Sequence, residues 1–292
     1  MLLWTGVGDS AAAATEYVDP RQHLDVVIEA ISLRGYAQNP KHRDLVRGRY
    51  TDDAQMTAGV SETMIEADPF SPYAYALRFV RAFQRDPRPG YAKSFQLFLE
   101  SVIDVDDFLA RIRPDSDKNG GCMRAVPTGV LPTPEEVIRA AHAQASVTHN
   151  SPEGLFSAAA VGLMSHFALY SDEGFDKLHH FLGHHLEAEI AQFIPNLLEP
   201  RSKPVIQPAR HTVHAVFYLL RNYNTLADVL RGAILIGGDT DSVGAVALGI
   251  ASARMPNDIP QVLIDKLEPD GEYGVQFLKD LGARLMDKYD RT

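Results

Sequence analysis

The chain has 292 residues, 45% of them apolar and 23% charged, so a sizeable core can form without covalent staples. Its single cysteine, Cys122, excludes an internal disulfide and fits a reducing compartment. A net charge of −10 (38 acidic against 28 basic residues) argues against a nucleic-acid surface, and no apolar run reaches the ~18 residues of a membrane span.

Taken in chain order, Met1-Leu2-Leu3-Trp4 lacks the basic start of a secretory signal, so a cytoplasmic protein is expected. Gly6-Val7-Gly8-Asp9-Ser10-Ala11 follows, with Glu16 beyond it. The third glycine of a dinucleotide fingerprint is missing, as is its strand–helix–strand setting. We read a compact turn exposing Asp9 and Glu16. The polar stretch Gly35–Tyr50 joins the first helix to the second. Helical periodicity then runs through Asp53–Ala67, Tyr73–Gln84, Ser94–Ile112, Pro134–Val147, Gly154–Leu169 and Phe175–Ile194. It continues through His211–Leu220, Leu226–Ile236, Val243–Ala253 and Tyr273–Tyr289. Arg113–Pro134 and Pro195–Pro208 are proline-rich interruptions, the second with four prolines. No alternating strands with hairpin turns appear, so the fold is predicted all-α, one domain over 1–292.

Two segments carry chemistry: Tyr50-Thr51-Asp52-Asp53-Ala54-Gln55-Met56 and Gly237-Gly238-Asp239-Thr240-Asp241-Ser242-Val243-Gly244. Each puts two carboxylates and a hydroxyl residue at the mouth of a predicted helix. Either segment can be read as an N-cap, with Thr51 or Asp239 as the cap and first-turn acids facing the dipole. The helix after Asp239 carries Gly244, Ala245, Ala247, Gly249, Ala251 and Ala253, which permit close contact. Were the two helix ends to meet, four carboxylates would repel one another in a partly dry site. Magnesium or manganese would resolve that repulsion, and two such ions form the usual clamp for a water or a substrate oxygen.

Five motifs in order resemble the ADP-ribosylglycohydrolases, which include the enzyme that reactivates dinitrogen reductase and the ADP-ribosyl-arginine and ADP-ribosyl-serine hydrolases. They are Gly8-Asp9 with Glu16, Thr51-Asp52-Asp53 with Met56, Asn119-Gly120-Gly121-Cys122-Met123-Arg124, Thr148-His149 and Gly238-Asp239-Thr240-Asp241-Ser242. The resemblance implies a compact orthogonal bundle of a dozen or more helices around a cleft holding two magnesium ions, manganese being the alternative. It implies Thr51, Asp52, Asp53, Asp239, Asp241 and Ser242 as metal ligands. Asn119, Gly120 and Gly121 would hold ADP-ribose, and His149 its distal ribose or diphosphate. Glu16 would act as a further ligand or as the base, with Asp53 and Asp239 the other catalytic carboxylates. Asp9 would orient a ligand water. The implied reaction is release of ADP-ribose from an ADP-ribosylated protein, with arginine linkage favoured over serine or a small conjugate; by default a monomer is expected. A non-catalytic ADP-ribose-binding or structural member is the rival, and the complete set of oxygen ligands speaks against it. Ser242 and Ala54 stand where threonine is common, and Ala13 stands where glycine is usual, which would reshape the loop carrying Glu16.

Other chemistry-bearing groups read as bland. His179, His180, His184 and His185 lack a His-Glu-x-x-His pattern and are expected on a polar, solvent-facing helix, as are His211 and His214. Cys122 has no evident base and reads as packing, and Asp104–Asp107 as a solvated face. A helical prenyl-diphosphate enzyme would also use acid-rich magnesium motifs, but the Gly-Gly-Asp and Asn-Gly loops do not suit one.

Overall fold

The computed structural model describes residues 1–201, 203–269 and 271–290. Its helices are α1 (Leu2–Ala12), α2 (Leu24–Ser32), α3 (Asp52–Glu66), α4 (Pro72–Arg85), α5 (Lys93–Ser101), α6 (Val105–Arg111) and α7 (Pro134–Ser146). They continue as α8 (Pro152–Tyr170), α9 (Leu178–Phe193), α10 (Arg210–Asn222), α11 (Leu226–Ile236), α12 (Thr240–Ala251), α13 (Gln261–Asp265) and α14 (Val275–Tyr289). Among the described residues there is no sheet, only isolated bridges at Asp115–His149 and Val205–Gly238. The all-α expectation holds. No helix of the described residues is long and apolar enough to cross a membrane.

Many boundaries follow from local chemistry. Ser71, Thr133 and Ser151 each accept a backbone N–H of the first turn and are each followed by a proline at the first helical position. The predicted helix Ser94–Ile112 is instead two, because the Asp104 carboxylate accepts from Asp107 N (2.9 Å) and starts α6 afresh. Phe175–Ile194 likewise opens with a 310 turn and kinks at Leu186.

The N-terminal segment corrects the sequence reading. Gly6-Val7-Gly8-Asp9 is no exposed turn but the buried middle of α1. Glycine in a helix interior costs about 1 kcal/mol relative to alanine, so local propensity argues against this helix. Packing overrides it: α1 crosses α12, whose residues are buried on every side. A Cβ on Gly8 would lie 2.2 Å from the Gly244 carbonyl oxygen, and one on Gly244 would lie 2.7 Å from that of Gly8. The two backbones touch where only glycines allow it. Gly8→Ala is therefore expected to cost about 3 kcal/mol, the upper end of overpacking, because backbone rather than a flexible side chain must move. An unchanged urea midpoint in that variant would rule out so close a crossing.

The crossing fixes the site. It sets the C-terminal end of α1 and the 310 turn Ala13–Thr15 beside the first turn of α12. Thr240 Oγ1 donates to Ala12 O at 2.7 Å and meets Thr15 Oγ1 at 3.1 Å, stitching the two ends together. α3 packs against both helices, and α14 packs against α1 and α3.

Candidate active site

The two helix mouths meet. Neither Thr51 nor Asp239, though each holds an N-cap position, makes a side-chain cap bond to its own helix. The plain capping explanation of the two motifs therefore fails. For α3 the capping is done by Asp9, which reaches across from α1. Its carboxylate accepts Thr51 N at 3.0 and 2.9 Å, Thr51 Oγ1 at 2.9 Å and Ala54 N at 2.9 Å. Its carboxylate thus joins α1 to the first turn of α3. Asp9 is 0% exposed, and burial pushes its carboxyl up to about 7 against the pull of these donors.

With its cap supplied from outside, the first turn of α3 turns Asp52 and Asp53 into the same cleft as Asp239, Asp241, Ser242 and Glu16. Carboxylate oxygens of Glu16, Asp239 and Asp241 lie within 4.8 Å of one another. Ala13 adopts helical angles (φ −56°, ψ −27°), so no glycine is needed there and Glu16 keeps its place. Asn39 Nδ2 holds that loop by donating to Ala13 O (2.8 Å) and Glu16 O (3.2 Å). Tyr17 follows in a left-handed conformation (φ 48°), its N–H on Gly238 O at 2.7 Å and its hydroxyl 3.5 Å from Asp239 Oδ2.

The electrostatics are those of a cation site. Burial first, then Asp239 and Asp52, push Glu16 up to about 8. Burial and then Asp9 push Asp52 up to about 8. Burial also raises Asp239, Asp53 and Asp241, the last two well above their ordinary values. Among the described residues the ion pairs with a buried carboxylate lie elsewhere, joining Arg88 to Glu268, Arg78 and Arg85 to Glu62, and Arg210 to Glu153. Asp53 Oδ1 and Asp241 Oδ1 are buried with no hydrogen-bond partner. Buried carboxylate oxygens left bare are costly, and hard divalent cations are the partners that oxygen donors of this kind take. The residues present fit such ions.

The Asn-Gly loop lies on the neighbouring wall. Asn119 Nδ2 donates to Asp239 Oδ2 (2.8 Å) and Ser242 Oγ (2.9 Å), so its amide is spent on two of the expected metal ligands. Gly120 and Gly121 pack on the ring and Cβ of His149. The cleft measures about 540 Å3. Besides the acids its wall is aromatic and basic, from Tyr91, Phe95 and Phe98 with Arg111, Arg113 and Lys118. Sequence reasoning passed over this wall. The one available signal was Pro87-Arg88-Pro89-Gly90, a turn whose glycine (φ 112°) passes so near Asp52 that a Cβ would lie 2.2 Å from its Oδ1.

The remaining candidates fall away. His180 and His184 are exposed on α9, as expected, whereas His179 and His185 are half-buried. His211 and His214 are instead half-buried, and His214 Nε2 pairs with Glu199 O at 3.1 Å, a correction to their solvent-facing reading. Cys122 is fully buried, and burial pushes its thiol far up, which suits packing and not nucleophilic chemistry. Asp107 pairs with Arg111 on the exposed α6.

Known proteins share this chain's pattern. The sequence profile of the ADP-ribosylglycohydrolase family matches residues 1–292. ADP-ribosylhydrolase ARH3 of Mus musculus is 23% identical, with 85% of this chain and 80% of that protein covered. ADP-ribosylarginine hydrolase Tri1 of Serratia proteamaculans is 21% identical, with 91% of this chain and 74% of that protein covered. In fold, a solved ADP-ribosylglycohydrolase-related protein complex matches with a TM-score of 0.75 at 21% identity, over 99% of this chain and 96% of that one.

Proposed function

Because this chain belongs to the ADP-ribosylglycohydrolase family, we propose that it hydrolyses the bond between ADP-ribose and a protein side chain, with arginine as the favoured attachment and magnesium as the metal. The observation that carries the reading is the convergence of α1, α3 and α12 on one acidic floor with bare carboxylate oxygens, in a cleft that is also lined by aromatic and basic residues. Such a cleft suits a ligand with a ribose at one end and an adenine diphosphate at the other. The adenine would stack on Phe95 and Phe98, and the diphosphate would face Arg111, Arg113 and Lys118.

Thr51, Asp52, Asp53, Asp239, Asp241 and Ser242 would hold two magnesium ions, with Glu16 beside them. Bound there, the ions would supply Lewis acidity to the attacking water and to the ribose hydroxyls. Asn119 would keep Asp239 and Ser242 in position, as its two hydrogen bonds do now. Cleavage breaks the bond from the anomeric carbon to the leaving nitrogen while a water oxygen forms the new one, through an oxocarbenium-like state. Glu16, less buried than the four aspartates, has room to take the water's proton, with Asp53 and Asp239 as the neighbouring acids. The proton lost by the water balances the one gained by the departing guanidine.

Charge supports arginine. The five cleft carboxylates (Glu16, Asp52, Asp53, Asp239, Asp241) bring five negative charges when ionised. Two divalent ions bring four positive ones, so one negative charge is left over to face a guanidinium. The Tyr17 ring, 39% exposed at the cleft beside Asp239, offers that planar cation a face to stack on. The same reading takes residues 1–292 as one domain, since α1 and α14, from opposite ends of the chain, pack together and on α3.

The test is release of free ADP-ribose from arginine-ADP-ribosylated protein, with and without magnesium, beside a serine-modified substrate. Magnesium-dependent release from arginine is expected. Release from serine alone would overturn the arginine assignment and keep the reaction. Absence of release from both, with ADP-ribose still bound, would make the chain a binding member of the family.

A further inference from the structure

We propose that Arg124 and Thr148 are positioning residues that hold the His149 imidazole as its neutral Nε2–H tautomer, and that Gly120 keeps this N–H open to the cleft as a fixed donor to a ligand oxygen. Arg124 is 1% exposed and lies over the Phe79 ring, 4.2 Å from its centroid. Its guanidinium is spent on Gln144, through Nε to Oε1 (2.6 Å) and Nη2 to the backbone oxygen (3.0 Å), and on Thr148 Oγ1 (2.8 Å). Gln144 Nε2 in turn donates to Gly121 O at 2.6 Å, tying the guanidinium to the Asn-Gly loop. Thr148 Oγ1 lies 2.7 Å from His149 Nδ1.

The proton positions follow by elimination. A guanidinium can only donate, so Thr148 Oγ1 accepts from Arg124. The hydroxyl hydrogen has His149 Nδ1 as its remaining neighbour, and donating there requires Nδ1 to be bare. The ring proton is then on Nε2. A hydrogen on Nδ1 would instead make Oγ1 accept twice and leave the buried threonine hydrogen with no partner, at a cost. Protonating both nitrogens carries that cost and adds a positive charge near Arg124. The charged groups that act on the ring are Arg124 and Lys118; Asp115 meets His149 through a backbone bridge, and Glu153 of α8 is paired with Arg210. Burial, then Arg124 and Lys118, hold the imidazole pKa down at about 3, in line with the hydrogen-bond argument.

Gly120 supplies the opening. A Cβ there would lie 2.6 Å from His149 Cε1 and 3.0 Å from Nε2, against the edge that carries the proton. Every other residue would cover the donor. His149 lines the cleft, so the exposed N–H meets a hydroxyl or phosphate oxygen of whatever occupies it. The donor stays uncharged across the physiological range, unlike a histidine near its ordinary pKa of about 6.5.

The inference rests on the ADP-ribose reading only for the ligand's identity, because the tautomer is read on the ligand-free protein. The experiment is nitrogen–carbon correlation NMR on the full chain with 15N-histidine, with His149 assigned by His149→Gln. The Nε2–H pattern is expected, unchanged between about pH 5.5 and 8. An Nδ1–H pattern, or titration in that range, overturns the proposal without touching the function. Thr148→Val should give a mixture of tautomers and weaken ADP-ribose binding on the order of fivefold, one hydrogen bond's worth, and Thr148→Ser should restore both. A Thr148→Val protein that keeps pure Nε2–H also overturns the relay. Should valine prevent folding, the wild-type spectrum decides.

Discussion

Asp241→Ala is expected to lower turnover of an ADP-ribosylated substrate on the order of a thousandfold, the loss that follows when a preorganised charge is removed from a catalytic centre. Asp241 is 3% exposed, its Oδ1 has no partner, and a carboxylate oxygen lies within 4.8 Å of those of Glu16 and Asp239. Its side chain adds no cap to α12, so the helix does not depend on it and the far-ultraviolet circular dichroism should hardly change. A second readout separates the roles this residue can play. A metal bound only by the folded state stabilises it by about 2.7 kcal/mol at a hundredfold excess over its Kd. That gain should vanish in Asp241→Ala. Lost turnover with an undiminished magnesium effect would make Asp241 a base and not a ligand. Full turnover would remove it from the site altogether.

The legible and illegible parts of this protein differ in how far apart the interacting residues lie. The Gly238-Asp239-Thr240-Asp241-Ser242 segment sets a tight turn, two carboxylates and the Ser242 hydroxyl within five positions, so contiguous sequence reveals it. The Ser-Pro and Thr-Pro starts of α4, α7 and α8 are equally local. α1 is the opposite case. Gly6 and Gly8 weaken it as a helix, and the reason for Gly8 is Gly244, more than two hundred positions away. Asp9 reads as a site acid until Thr51 and Ala54 are seen to donate to it. Phe95, Phe98 and Arg111 look like ordinary helix residues, because only the assembled cleft aligns them with the acids. What sequence conveys well here is chemistry packed into one turn. What it conveys poorly is chemistry shared between distant helices.

The acid cluster also fixes how stability responds to pH. In the metal-free chain Asp9 is raised to about 7, and Glu16 and Asp52 to about 8. A carboxyl raised on folding binds its proton more tightly in the folded state. Its contribution is complete below its unfolded pKa near 4 and is lost as pH rises through the folded value. The half-buried histidines work the other way, since His142, His149, His211 and His214 are all lowered by burial. Their contribution is complete once pH exceeds their unfolded value of about 6.5. The buried amino group of Met1, lowered to about 6, opposes the acids up to its ordinary value of 8.0, one group against six. Between about pH 6.5 and 8 the acids therefore dominate, and the melting temperature of the protein in EDTA should fall by about 5 °C or more. Magnesium should reverse the slope, because its ligands bind as carboxylates and each proton they give up favours the metal at higher pH. A flat melting profile in EDTA, or a magnesium gain equal at pH 6.5 and 8, would mean that these acids are not one coupled cluster. Asp241→Ala should flatten the EDTA profile, since it removes a carboxyl that burial, Glu16 and Asp53 raise well above its ordinary value.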